Sequence, residues 1–273
     1  ALVGESGSGK TTLARAIMGL IPLPGYIKSG SVEFLGQRLT ELTDRELRII
    51  RGKEIAMIIP NPRSELDPLL TIGDQLSEIA FTHLQITKKE ARNKALSVLN
   101  DVSIPDPTRR LNAYPHELSG GMAQRVVIAM ALICKPRIII SDDATSGLDV
   151  TVQAQILRLL RQLIIKQKSA LLFITRDIGI TAHFCDQIAI MYLGKIVEIA
   201  ERKEFFKNPS HPYSVSLLAA FSHDRELRHT WAGEKPQISE MPKNGCLYSN
   251  RCKLKTDRCL SDSPALENLF ETH

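Results

Sequence analysis

Apolar and polar positions follow two different periods along this chain. Ala1-Leu2-Val3 reads as the end of a buried strand, followed by a glycine-rich turn and a helix from about Lys10 to Leu20. Gly30 to Leu39 alternates apolar and polar residues around Val32, Phe34 and Leu35, which predicts short antiparallel strands. Glu54 to Ile59 is a compact apolar run and reads as another buried strand. From Asn61 to about Pro115 the text changes: Pro62, Pro68, Pro105 and Pro107 interrupt charged helical stretches such as Lys88 to Leu99, predicting an inserted helical subdomain.

Beyond it, strands and helices alternate. Ser119 to Ile133 reads as helix and Arg137 to Ser141 as strand. Val152 to Ile164 is helical, with Val152, Ile156, Leu159, Leu160 and Leu163 on one face and Gln155, Arg158 and Gln162 on the other. Ala170 to Thr175 and Gln187 to Tyr192 add two more strands, and such alternation predicts a parallel α/β sheet. After about Phe205 the periodicity fades into an extension.

Three segments carry candidate chemistry. Gly4-Glu5-Ser6-Gly7-Ser8-Gly9-Lys10-Thr11 matches G-x-x-x-x-G-K-[ST] between a predicted strand and a predicted helix. Glycines let the backbone wrap phosphates, and successive N–H groups with the helix N-terminus supply positive potential. Lys10 is placed to reach the β- and γ-phosphates, the Thr11 hydroxyl to ligate Mg²⁺, and Thr12 to extend the contact. Second, the apolar strand from Arg137 ends in Asp142 and Asp143, where one carboxylate can hold Mg²⁺ through water and its neighbour orient the attacking water. Third, Leu118-Ser119-Gly120-Gly121-Met122-Ala123-Gln124-Arg125 pairs a helix cap with two glycines, leaving backbone donors free for a phosphate.

Composition narrows the classes. Only 5% of residues are aromatic, with one Trp, which argues against a base-stacking nucleic-acid platform, and a net charge of +5 is mild. The longest apolar run, Val126 to Cys134, is far shorter than the ~20 residues of a spanning helix. Five cysteines is an odd count, which points to a reducing compartment rather than a disulfide framework. No secretory leader precedes the first motif, and the chain opens at Ala1 without Met, so an upstream segment is expected to be missing.

Taken in order, the phosphate loop, the acidic strand, Leu118 to Arg125 and Ser146-Gly147-Leu148-Asp149 resemble the ATP-binding cassette family across nearly the whole chain. The resemblance implies a P-loop NTPase core holding ATP and Mg²⁺ and pairing head-to-tail with a second cassette. Leu118, Ser119, Gly120, Gly121 and Gln124 would then face the partner's ATP, with Asp149 in the dimer-interface loop. It divides the chain into residues 1–60 (phosphate-loop part of the core), 61–118 (helical subdomain), 119–205 (remainder of the core) and 206–273 (C-terminal extension).

Asn208-Pro209-Ser210-His211-Pro212-Tyr213, Asp149-Val150-Thr151-Val152-Gln153 and Cys246, Cys252 and Cys259 look like the importers of dipeptides, oligopeptides or nickel. That subfamily implies two integral-membrane permease subunits, a solute-binding protein acting indirectly, and a peripheral place on the cytoplasmic face of the bacterial inner membrane. Nucleic acid is not an expected partner. Some members are thought to hold an iron–sulfur cluster on four cysteines; here the fourth would lie beyond His273. Arg251, Lys253, Lys255 and Arg258 among them read as a solvated face.

Three positions depart from the family pattern. Asp143 stands where the family has Glu, one methylene short, and misplacement on the order of 1 Å can cost about 10²-fold. Pro60 replaces the loop glutamine and lacks both amide and N–H. Arg176 replaces the switch histidine; it is a cation with no acceptor nitrogen. Together they imply a site that binds ATP but hydrolyses it slowly. A non-catalytic or eroded subunit acting mainly through Leu118 to Arg125 is a second reading. A soluble DNA-repair-type cassette ATPase is a third, disfavoured because no sustained heptads separate Lys10 from Ser119.

Overall fold

The computed structural model of the chain describes residues 1–221, 244–269 and 273. In chain order the elements are β1 (Leu2–Val3), α1 (Lys10–Ile17), β2 (Glu33–Phe34), β3 (Gln37–Arg38), α2 (Asp44–Ile50), β4 (Ile55–Ile58), α3 (Pro62–Glu65), α4 (Ile72–Leu84), α5 (Lys88–Asp101) and α6 (Pro107–Arg110). They continue with α7 (Gly120–Leu132), β5 (Ile138–Asp142), α8 (Val150–Gln167), β6 (Ala170–Thr175), α9 (Ile178–Phe184), β7 (Gln187–Tyr192), β8 (Lys195–Glu201), α10 (Arg202–Lys207), α11 (Pro212–Phe221) and α12 (Arg258–Ser261). The chain forms two compact units, residues 1–10 with 174–273, and residues 11–173; the division falls within β6.

Local chemistry explains where the elements stop. α1 ends earlier than its apolar period suggests because Gly19, at φ +62°, takes the left-handed position after the helix. The Leu20 N–H then reaches Arg15 O at 2.7 Å and the Gly19 N–H reaches Ala16 O at 3.0 Å, closing the last turn. Thr43 and Glu46 form a capping box on α2, and Thr87 and Glu90 form another on α5. Asp149 caps α8 by accepting the Val152 N–H, starting that helix two residues before its apolar stripe.

In the unit of residues 11–173, β4 and β5 are parallel, from Ile55 opposite Ile138 to Ile58 opposite Ser141. β6 starts beside them, its Ala170 N–H donating to Arg137 O at 2.7 Å. α7 is apolar on most sides because it is covered from several directions, by α3, α4, α5, α8 and β4. The helical insertion buries Ile72, Leu76 and Ala80 of α4 and Ala91, Ala95 and Leu99 of α5. β2 and β3 form the expected small antiparallel pair.

In the other unit, β1 runs parallel to the end of β6 and to β7, with Leu2 opposite Ile174 and Ala189. β8 departs from the all-parallel expectation. It folds back antiparallel on β7, from Gln187 opposite Glu201 to Tyr192 opposite Lys195. Leu193 and Gly194 make the reversal, both at positive φ, as a two-residue hairpin of right-handed twist requires. One core joins Val3, Ile188, Ile190 and Tyr192 to Phe205, Tyr213 and Tyr248, so residues well beyond Phe205 share the packing of β1.

This packing makes a stability contrast testable by chemical denaturation. Phe205 is 0% exposed and Leu23 is 93% exposed. Phe205→Ala is expected to cost about 3–5 kcal/mol, and Leu23→Ala about 0.5 kcal/mol or less.

Candidate functional site

Between β1 and α1 the chain turns through Gly4 to Gly9, and a hairpin braces the turn. A Cβ on Gly4 would stand 2.2 Å from Met191 O and 2.8 Å from Ser8 Oγ, so no side chain fits there. Ser8 is buried, and its carbonyl accepts the Gly194 N–H at 2.8 Å. Gly9 turns at φ +103°, which hands the chain to α1. The loop is thus clamped against the β7–β8 turn at both ends.

Lys10 begins α1 and is only 8% exposed. Its ammonium donates to Gly4 O at 2.8 Å, Glu5 O at 2.7 Å and Ser8 Oγ at 3.1 Å. A buried ammonium is tolerated only with its donors satisfied, and here loop oxygens hold it inside the curve of the loop. Ser6 and Gly7 form the exposed crest of the turn, and Thr11 and Thr12 are exposed in the first turn of α1. The loop is therefore a cradle around a cation held by two of its carbonyls and one of its hydroxyls.

The remaining candidates sit in well-defined local settings. Asp142 is buried at the carboxyl end of β5, while Asp143 follows it in a left-handed conformation at φ +48°. Pro60 is exposed after β4, ahead of Asn61, which is also left-handed at φ +67°. Ser119 caps α7, its hydroxyl accepting the Met122 N–H at 3.4 Å. Gly120 faces open space where a side chain would stand, Gly121 packs near Val152, and Leu118 and Gln124 are buried. Arg176 is exposed at the end of β6, immediately before Asp177, which caps α9.

The cysteine tail corrects one expectation. Lys253, Lys255 and Arg258 are exposed, as a solvated face requires, but Arg251 turns inward. Its side chain is 9% exposed and its two terminal nitrogens hold Glu5 of the phosphate loop, at 3.1 and 3.0 Å. Burial works against the guanidinium's charge, yet the Glu5 carboxylate and the neighbouring Tyr192 together outweigh it and hold the proton more firmly than in a free arginine. The reason is packing. Tyr248 joins the core beside Tyr192 and Tyr213, and this carries Arg251, three residues later, under the loop.

Cys246, Cys252 and Cys259 lie on one folded segment, where the Cys246 N–H donates to Cys259 O at 2.9 Å. Burial pushes the Cys252 thiol up, whereas the Thr256 hydroxyl and N–H hold Cys259 below the usual thiol range. Among the described residues, no three His, Cys, Asp or Glu side chains converge as a metal ion would require. As arranged, these three thiols do not fit a cluster.

Comparison with known proteins identifies the family. The family model for "ABC transporter" matches residues 1–146, and that for "Oligopeptide/dipeptide transporter, C-terminal region" matches residues 197–259. The chain is 44% identical to the dipeptide transport ATP-binding protein DppD of Escherichia coli (strain K12), over 99% of this chain and 83% of that protein. It is 42% identical to the oligopeptide transport ATP-binding protein OppD of Bacillus subtilis (strain 168), over 100% of this chain and 77% of that protein. Among solved structures, an ATP-binding cassette dimer in a post-hydrolysis state with ADP and Pi matches with a TM-score of 0.64 at 29% identity, covering 74% of this chain and 84% of that one.

The cradle generates a direct test. Lys10→Ala removes the ammonium and is expected to weaken ATP binding at least tenfold, from the ~1.5–3 kcal/mol of a charge-assisted hydrogen bond. Isothermal titration of both proteins reads the ratio, and equal affinities overturn the phosphate-loop assignment.

Proposed function

The chain belongs to the ABC transporter family, and from that premise we propose that it is the energy-coupling ATPase subunit of a peptide importer. One observation carries this reading. The phosphate-loop region and a region matching the peptide-transporter C-terminus occur in the same chain, which spans most of the length of dipeptide and oligopeptide transport relatives. No helix among the described residues is long and apolar enough to cross a membrane. As the relatives of dipeptide and oligopeptide transport suggest, the proposed subunit sits peripherally on the cytoplasmic face of the inner membrane. It acts with two permease subunits, which the helical insertion and the loop at Pro60 contact, and indirectly with a solute-binding protein.

Its chemistry follows from the side chains. Backbone N–H groups of the turn beyond Glu5, up to Lys10 and the start of α1, cradle the phosphates, and the Lys10 ammonium balances their charge. The Thr11 hydroxyl and the buried Asp142 carboxylate are hard oxygen donors of the kind Mg²⁺ prefers, and the metal would neutralise charge on the β- and γ-phosphates. Asp143 orients the attacking water from a carboxylate one methylene short, without help from an amide at Pro60 or an imidazole at Arg176. ATP thus binds and turns over slowly in this site. Ser119, Gly120, Gly121 and Gln124 serve the ATP held by a second cassette, most simply in a heterodimer, with Asp149 beside the shared interface.

An iron–sulfur cluster on Cys246, Cys252 and Cys259 is not carried into the mechanism, because the three thiols do not converge. Anaerobic reconstitution of this chain, followed by metal analysis, is expected to give labile, substoichiometric binding. Tight stoichiometric iron overturns that expectation.

The ATPase rate of a reconstituted heterodimer tests the division of labour. Asp143→Glu alone recovers little. Asp143→Glu, Pro60→Gln and Arg176→His together recover far more than the sum of the single changes, as residues acting as a unit do. Ser119→Arg, in contrast, depresses hydrolysis at the partner's site. A dimer silenced by Asp143→Ala but indifferent to Ser119→Arg contradicts the assignment.

A further inference from the structure

Glu5 has three polar groups, and each is committed to a different part of the molecule. Its N–H donates to the Tyr213 hydroxyl at 2.9 Å. Its carbonyl accepts from the Lys10 ammonium at 2.7 Å. Its carboxylate takes both terminal nitrogens of Arg251, 246 positions away along the chain. Arg251 in turn lies 5.6–5.9 Å from the ring centroids of Tyr192, Tyr213 and Tyr248, within cation–π range of all three. The three rings pack on one another with centroids 4.6–5.5 Å apart, so the guanidinium has little freedom to leave.

We propose that Arg251 is a positioning residue of the phosphate loop: from the cysteine-bearing tail it fixes Glu5 and neutralises its carboxylate beside the site where phosphates bind. The proposal rests on the phosphate-loop reading above. A carboxylate in an anion-binding turn opposes the ligand unless a cation cancels it, and Arg251 supplies that cation in a fixed, two-pronged geometry. It also holds the residue whose carbonyl orients Lys10. The tail and the loop are therefore linked through Glu5, and what loosens one alters anion affinity at the other.

Charge specificity separates this role from plain packing. Titration of the full chain with ATP and with AMP gives two affinities for each variant. Arg251→Gln is expected to weaken ATP binding by about tenfold and AMP binding far less, because the uncancelled Glu5 charge acts in proportion to phosphate charge. Glu5→Gln introduced into Arg251→Gln recovers most of the ATP affinity, an effect that lost tail packing cannot produce. Should Arg251→Gln fail to fold, Arg251→Met, an uncharged chain that packs among the three tyrosine rings, leaves Glu5 uncancelled and gives the same selective weakening. Equal losses for ATP and AMP, no loss, or no rescue by Glu5→Gln overturns the proposal. Lys10→Ala run alongside tells the failures apart: if it too leaves ATP affinity intact, the loop reading itself has failed.

Discussion

A buried ammonium needs all its donors met, and that requirement at Lys10 governs the shape of the loop around it. Oxygens of Gly4, Glu5 and Ser8 accept from it, so the turn must curl until those atoms converge. Curling that far brings Gly4 against Met191 O, where even a methyl group has no room. The loop can therefore exist only with glycine at its start and with the β7–β8 turn beneath it. Stability and ligand chemistry meet in one constraint: the oxygens that hold the lysine also hold it where an anion would want it.

The same constraint explains what could be read from the sequence. Lys10 and its glycines are recognisable because the backbone imposes their spacing, and spacing is local. The charged helical stretch from Lys88 to Leu99 is legible for the same reason, since a helical period is local. β8 is not. Lys195 to Glu201 mixes charged and apolar residues, and its strand identity comes from pairing with β7 across the Leu193–Gly194 reversal. A helix–strand alternation rule expects the next strand to be parallel, and a two-residue hairpin is the exception it misses.

Arg251 was the larger omission, and composition misled. It stands among Lys253, Lys255 and Arg258, and clustered cations usually face water. Nothing within ten residues of it hints at Glu5. Only the fold supplies the partner, by burying Tyr248 beside Tyr192 and Tyr213 and leaving the next inward position three residues on. Long-range ion pairs of this kind carry no local signature, because their energy comes from two segments that tertiary packing alone brings together.

The short carboxylate at Asp143 is consistent with its backbone. The residue sits at φ +48°, a left-handed conformation that aspartate and asparagine enter more readily than longer side chains. Its carbonyl accepts the Ser146 N–H at 2.9 Å, so the turn leading toward Asp149 starts from that strained position. A glutamate placed there gains reach but meets the conformational cost of the turn. Any longer side chain at this position therefore meets the backbone before it meets the chemistry.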